Sequence, residues 1–150
     1  MALNFADIAN KKVEEIERPP LPPVGSYRWA ITKIPEVRST DDWDILDVQV
    51  RALEALDDVD MEDYPGEVTG ITNRVSFMFN KNDEAEFART EYNMRRFFEQ
   101  HVGCAEKGAT IAKMLNDSVN GQFIGAIGWK PDKNDPELFH ANIVRTAPVE

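Results

Sequence analysis

Two kinds of side chain in this sequence are suited to holding nucleic acid: cations on alternating segments and tryptophans beside turns. Trp43 lies between Asp42 and Asp44, and Trp129 precedes Lys130, so both indoles are expected to be partly exposed. Exposed aromatic rings stack on nucleobases, at about 1–3 kcal/mol per base, while cations bind the phosphates. The pattern predicts a single-stranded nucleic-acid site with these members: Arg28, Lys33, Arg38, Trp43, Arg51, Arg74, Trp129, Lys130 and Lys133.

Each member also has a simpler interpretation. The two indoles could pack at a rim, and the strand arginines could be solvated surface residues. Tyr27 and Trp29 share a face with Ile31 in an alternating run, and we expect them, like Phe77 and Phe79, to belong to the core. We expect Arg95 and Arg96 to pair with Glu91 or Glu99 along a helix.

The apolar pattern predicts a domain over residues 25–150, preceded by an N-terminal arm and proline-rich linker over 1–24. Pro19, Pro20, Pro22 and Pro23 make that linker stiff and extended. Alternating segments predict five strands, over 25–32, 43–53, 71–79, 122–130 and 137–146.

A helix is predicted to start at Asp83, whose spacing to Glu86 resembles a capping box, and to stop at Gly103. A second, short helix is predicted over 110–116. Gly125 and Gly128, inside the fourth strand, indicate a bend or a close backbone approach. The order β-β-β-α-β-β predicts a mainly β protein with a helical insertion, a five-stranded OB-fold-like barrel. Such barrels commonly bind oligonucleotides on the face of their second and third strands.

The charge distribution is uneven. The net charge is −10, which by itself disfavours a polyanionic partner. Residues 54–67 carry seven carboxylates and no Lys or Arg, so the rest of the chain sums to only −3. We expect this segment to be a solvated loop. A functional alternative is that it mimics nucleic acid, and so shields the binding groove or contacts a basic partner protein. Its Asp58, Asp60 and Glu62 have calcium-loop spacing, but the later positions of an EF-hand do not match, and no metal or other cofactor is predicted.

The sequence carries none of the common catalytic motifs, so we do not expect an enzyme. The single cysteine, Cys104, is expected to be a buried or half-buried thiol, and His101 and His140 to be structural. No segment has the apolar length of a membrane span, and the N-terminus lacks a secretory apolar core, which favours a cytoplasmic location.

The segments LPPVGSYRWAITKI, WDILDVQVRAL, RVSFMFN and LNDSVNGQFIGAIGWK together resemble a family of small bacteriophage proteins that are similar to single-stranded DNA-binding proteins. The resemblance covers about residues 20–148 and rests on layout and on apolar and glycine positions. It implies binding of single-stranded DNA, largely independent of sequence, in replication or recombination in the cytoplasm of an infected bacterial host. The acidity of this chain departs from the basic sheet face usual in that family.

Two other functions fit the same sequence. An acidic interaction module would grip a phage or host replication or recombination protein through residues 54–67. A virion structural protein, such as a capsid decoration domain, would use the arm and the stiff linker.

Overall fold

Six antiparallel strands form one curved sheet in the computed structural model, which describes residues 4–15 and 18–149. The long strand β3 is central: β1 and β2 follow one another along one of its edges, and β4 pairs with the other. β5 pairs with β1, and β6 pairs with β5. The strands are β1 (Gly25–Ile31), β2 (Glu36–Ser39), β3 (Trp43–Ala55), β4 (Thr72–Asn80), β5 (Gln122–Pro131) and β6 (Phe139–Ala147).

The mainly β architecture with a helical insertion is confirmed, but the predicted number of five strands is wrong. The additional strand, β2, is only four residues long, and all four are exposed. An exposed edge strand of this length needs no apolar alternation, so it gave no signal in the sequence. It extends the edge that β1 begins, since Val37 lies opposite Leu46 and Ile31 opposite Val50.

The sheet curls like a barrel without closing. β4 and β6 come together at a seam that no strand ladder bridges among the described residues. One hydrogen bond crosses it, from Asn73 Nδ2 to the Ala141 carbonyl at 3.1 Å. A closed barrel would pair these two strands, and here they leave room between them.

The helical insertion lies between β4 and β5. It contains α1 (Glu84–Arg96), a π-helical turn (Phe97–Val102) and α2 (Ile111–Asp117). Asp83 caps α1 by accepting from the Glu86 backbone N–H at 3.1 Å. The second half of the expected capping box is not made, because Glu86 instead accepts from Asn80 Nδ2. Gly103, with a φ of 77°, ends the helical run as predicted. Neither described α-helix is long and apolar enough to span a membrane.

Aromatic side chains fill the interior, and the expected core residues are found there. Tyr27, Trp29 and Ile31 are fully buried. Phe77 is partly buried and packs on Phe97 of the π-helical turn, with ring centroids 5.6 Å apart. Phe79 meets Phe87 of α1 at 5.0 Å. The helical insertion therefore covers one side of the curled sheet with aromatic contacts.

β1 and β5 are joined by an unusually close contact. Trp29 Nε1 donates to the Gly125 carbonyl at 3.0 Å, deep in the core. A Cβ on Gly125 would lie 2.8 Å from Trp29 Nε1 and 2.9 Å from its Cδ1. Only glycine leaves room for the indole at this position, so the predicted close backbone approach is confirmed at Gly125.

The acidic segment is tied to the fold rather than fully solvated. Asp58 accepts from the backbone N–H of Ser26 at 2.9 Å and from its hydroxyl at 3.1 Å. Val59 packs over Gly25, and a Cβ on Gly25 would lie only 2.6 Å from the Val59 side chain. Gly25 also has a φ of 137°, which residues other than glycine rarely adopt. The apolar residues of the segment thus anchor it, while most of its carboxylates remain exposed.

Substituting Gly125→Ala tests the contact with Trp29. The new methyl group has no space beside a fully buried indole, and overpacking of this kind destabilises by about 1–3 kcal/mol. We expect the melting temperature, followed by circular dichroism, to fall by several degrees. Gly70→Ala is the matched control, because nothing lies within 4 Å of a Cβ at that position. Equal melting temperatures for the two variants would contradict this packing.

Candidate nucleic-acid interface

Four of the predicted site residues share one outer surface of the sheet, which we call the arginine face. Side chains alternate along a strand, and the inner positions of β3 are the buried Leu46, Val48, Val50 and Ala52. The arginine face consists of the outer side chains of β2, β3 and β4, of which Ile45 is buried: Glu36, Arg38, Trp43, Ile45, Asp47, Gln49, Arg51, Thr72, Arg74, Ser76, Met78 and Asn80. It carries three arginines and two carboxylates, in a chain whose net charge is −10.

Asp47 organises the middle of the arginine face. Its carboxylate accepts from Arg38 Nε at 2.7 Å and from the Ser76 hydroxyl at 2.6 Å. Burial pushes the pKa of Asp47 upward, but these hydrogen bonds and the nearby charges of Arg38 and Arg74 outweigh burial and hold it below its ordinary value. The carboxylate is therefore ionised at neutral pH and holds Arg38 in place.

Arg51 and Arg74 lie beside the open seam. Arg51 is opposite Thr72, and Arg74 is opposite Gln49, with both arginines exposed. Together with Thr32 and Ala141 they line a polar cleft of about 640 Å³. This first seam cleft has no carboxylate among its described lining residues.

A second seam cleft continues along the same seam toward the helical insertion. Its volume is about 460 Å³, and its basic residues are Arg96, Arg145 and His101. Burial, helped by the charge of Arg96, lowers the pKa of His101, so the imidazole is neutral at pH 7 and adds no charge. Its Nδ1 lies 2.7 Å from the Thr146 hydroxyl and joins the π-helical turn to β6. Again the described lining includes no carboxylate.

Arg96 and Arg145 were not among the predicted site residues. The sequence places Arg95 and Arg96 on one helix, and Arg95 does pair with Glu99, at 2.8 Å, as expected. Arg96 instead faces the seam, a position set by the packing of α1 on β4. Arg145 is exposed on β6, opposite Ala126. The pKa of Asp58 is lowered mainly by its hydrogen bond with Ser26, and the charge of Arg145 lowers it further. Only the three-dimensional seam brings these two arginines together.

Other predicted cations are partnered by carboxylates. Arg28 Nε lies 3.5 Å from Glu54 Oε1, across the β1–β3 pair. Lys33, just after β1, pairs with Glu36 at 3.6 Å. Both are on the surface, and their charge is locally compensated.

The two predicted indoles are in different surroundings. Trp43 is half-buried at the start of β3 and belongs to the arginine face. Trp129 lies near the far end of β5, where its Nε1 donates to the Pro22 carbonyl at 2.7 Å. Its neighbours include Asp60, Asp63 and Glu137, and these carboxylates oppose phosphate binding. Lys130 and Lys133 are exposed in the β5–β6 hairpin.

Groups with metal-binding or nucleophilic chemistry do not converge in the part of the chain that the structure describes. No three His, Cys, Asp or Glu side chains there are arranged to hold a metal ion. The Cys104 thiol donates to the Phe98 and Met114 carbonyls, and burial raises its pKa. It is thus a protonated, half-buried thiol.

Comparison with protein-family models, with curated proteins and with solved structures finds no match to this chain. Its function is accordingly inferred from the arginine face and the two seam clefts.

The hydrogen bonds to Asp47 predict a pH dependence. Because its pKa is lowered on folding, the carboxylate stabilises the fold above its unfolded value of 3.8, and this contribution disappears as the pH falls through the lower, folded value. We expect Asp47→Asn to lose about 1 kcal/mol of stability near neutral pH. The difference from the wild type should shrink as the pH approaches 3. Denaturant unfolding at several pH values measures it, with Asp57→Asn, an exposed carboxylate, as the control. A difference that grows toward acid pH would show that the sign is wrong.

Proposed function

We propose that this protein binds single-stranded DNA, largely without sequence preference, along the seam between β4 and β6 and across the arginine face. One observation carries the proposal. Four arginines, Arg51, Arg74, Arg96 and Arg145, line two adjoining clefts that have no carboxylate among their described lining residues. Arg74 and Arg145 have a carboxylate nearby, Asp47 and Asp58 respectively, but neither carboxylate lines the clefts. In a chain of net charge −10, such a concentration of cations favours a polyanion as ligand.

The strand pairing supports an OB-fold-like barrel as the scaffold. The five predicted strands correspond to β1, β3, β4, β5 and β6. The first of them (β1) pairs with the second (β3) and with the fourth (β5). The second (β3) also pairs with the third (β4), and the fourth (β5) also pairs with the fifth (β6). The helices lie between the third and fourth, and β2 is an addition to this plan. OB-folds bind oligonucleotides on the face of their second and third strands, between two flanking loops. Arg51 and Arg74 of the first seam cleft come from the strands that correspond to these two, which supports this cleft as the ligand position.

The chemistry of the surface suits sequence-independent binding. The arginines contact phosphates, which positions a strand without reading its bases. Trp43, at one end of the arginine face, offers a ring on which a base stacks. Arg38 is hydrogen-bonded to Asp47, so Arg51 and Arg74, which line the first seam cleft, are proposed as the principal phosphate contacts. We propose no catalytic role for these residues, and we place the protein in phage replication or recombination, as its sequence resemblance implies.

A second candidate function is binding of a basic partner protein by the acidic segment. Its favouring observation is that Asp57, Asp60, Glu62 and Asp63 are all exposed on an anchored loop. A protein that works only in this way would retain a basic replication or recombination protein but no oligonucleotide. Asp57→Asn combined with Glu62→Gln would weaken that interaction and leave DNA binding unchanged.

The double variant Arg51→Ala/Arg74→Ala tests the phosphate contacts. Loss of the two contacts should weaken binding of a labelled oligo-dT about tenfold at low salt. Each lost contact should also reduce the magnitude of the slope of log K against log salt by roughly 0.7. Fluorescence anisotropy measures both quantities. The control, Arg95→Ala/Lys107→Ala, removes the same charge from a separate depression beside α2. Failure of the wild type to bind oligo-dT, or equal weakening by the control, would refute the proposed site.

The two indoles give a further comparison. Trp43→Ala should weaken oligo-dT binding by about 1–3 kcal/mol, since it removes a stacking ring from the arginine face. Trp129→Ala should leave the affinity nearly unchanged, because its carboxylate neighbours keep phosphates away. Circular dichroism verifies that both variants fold. If Trp129→Ala is the more damaging of the two, the strand follows a different path.

A further inference from the structure

Outside the proposed DNA site, the surface has a largely apolar cleft of about 570 Å³ beside Trp129, which we call the Trp129 cleft. Its apolar walls come from the proline-rich linker, Tyr64, Trp129 and Phe139. Trp129 is 48% exposed and Phe139 is 42% exposed, although both have an apolar ring to bury. This volume is within the range of pockets that hold ligands, so the cleft can take large apolar side chains.

The charged residues at the Trp129 cleft indicate which kind of ligand or segment would bind in it. Asp60, Asp63 and Glu137 stand at the cleft, and the guanidinium of Arg18 is engaged by the Phe139 carbonyl and lies 3.5 Å from His140 Nδ1. An occupant that is apolar and carries a lysine would complement both the rings and the carboxylates. Phosphates and acidic peptides would be repelled.

Residues 8–13 of the N-terminal arm have this chemistry. Phe5 is 78% exposed, Val13 is 84% exposed and Ile8 is also exposed, so three large apolar side chains of the arm contact water. Between Ile8 and Val13 the arm carries Lys11 and Lys12 and no carboxylate, and the carboxylates Asp7, Glu14 and Glu15 flank this stretch. None of residues 4–15 lines the Trp129 cleft of its own chain. One chain therefore displays both an apolar, lysine-bearing segment and an apolar, carboxylate-bearing cleft, each uncovered.

The linker fixes where the arm begins. The Pro22 carbonyl accepts from Trp129, and the Pro23 carbonyl accepts from the Tyr27 hydroxyl at 2.5 Å. Arg18, at the junction of arm and linker, is itself a lining residue of the cleft. In a pair of molecules related by a twofold axis near this point, each arm would start beside the cleft of the other copy. Such a reciprocal contact closes on itself and gives a dimer rather than a chain of copies.

We propose that two copies of this protein associate by arm exchange, with Phe5, Ile8 and Val13 of each copy contributing to the occupant of the Trp129 cleft of the other. This proposal does not depend on DNA binding, and its test uses no nucleic acid. The interaction is between identical chains, so the required probe is the protein itself.

Sedimentation equilibrium of the full-length chain over a range of concentrations tests the exchange. The wild type should dimerise. An arm variant, Phe5→Ser/Ile8→Ser/Val13→Ser, and a cleft variant, Trp129→Ala/Phe139→Ala, should each weaken the dimer about tenfold or more. Val37→Ser/Val144→Ser, which changes exposed apolar residues outside the cleft lining, should leave it intact. Circular dichroism confirms folding of every variant.

Mixing the two defective variants distinguishes arm exchange from any other dimer. The arm variant retains an intact cleft, and the cleft variant retains an intact arm, so together they can form one of the two contacts. We expect a mixed dimer, detected with one variant fluorescently labelled, at concentrations where each variant alone is monomeric. A monomeric wild type, a dimer insensitive to both sets of substitutions, or no association in the mixture would each overturn the proposal.

Discussion

The contact between Trp29 and Gly125 is the constraint on which the rest of the fold depends. A fully buried indole on β1 needs a partner for its N–H, and the Gly125 carbonyl on β5 supplies it at 3.0 Å. Because position 125 has no side chain, the indole can lie directly against the β5 backbone. Tyr27 packs on the same indole with ring centroids 5.6 Å apart. The indole thus spans β1 and β5 inside the curled sheet, whose curl brings β6 back toward β4.

The anchoring of the acidic segment affects where negative charge lies on the surface. The acidic segment is anchored at the start of β1. Asp58 accepts hydrogen bonds from Ser26, and Val59 packs over Gly25. Asp58 is consequently held at that end, and Asp60 and Asp63 line the Trp129 cleft. The seam clefts draw their lining from β3, β4, β6 and α1, which contribute arginines there. A strongly acidic protein thus presents a cationic groove because a packed loop gathers much of its negative charge elsewhere.

Local patterns in the sequence carried most of the fold. Alternation predicted the five longer strands, Asp83 and Gly103 predicted the limits of the helical run, and Gly125 predicted the close approach. The open seam was not predictable, since it depends on how far β4 and β6 diverge after the sheet has curled. Neither was the position of Arg96, because periodicity shows which side of a helix is apolar but not which strand edge a polar residue will face. For the candidate site, sequence placed Arg51 and Arg74 on outer strand faces, and only the folded sheet brought them to a common cleft.

The β5–β6 hairpin links the two surfaces proposed for binding. Phe139 lines the Trp129 cleft, and Ala141, two residues further along β6, lines the first seam cleft. The hairpin is held by the hydrogen bond from His140 Nε2 to Asp132 at 2.8 Å and by Arg18 on the Phe139 carbonyl. An arm seated against Phe139 and a DNA strand seated against Ala141 would both contact the same strand. If the arm and the DNA strand each bind more tightly to one position of β6, the two binding events are coupled. Thermodynamic linkage then requires that arm exchange change the DNA affinity by the same factor by which DNA changes the affinity of the dimer. Because the seam has no ladder to fix β6 against β4, this strand is the element of the sheet best placed to carry such a coupling.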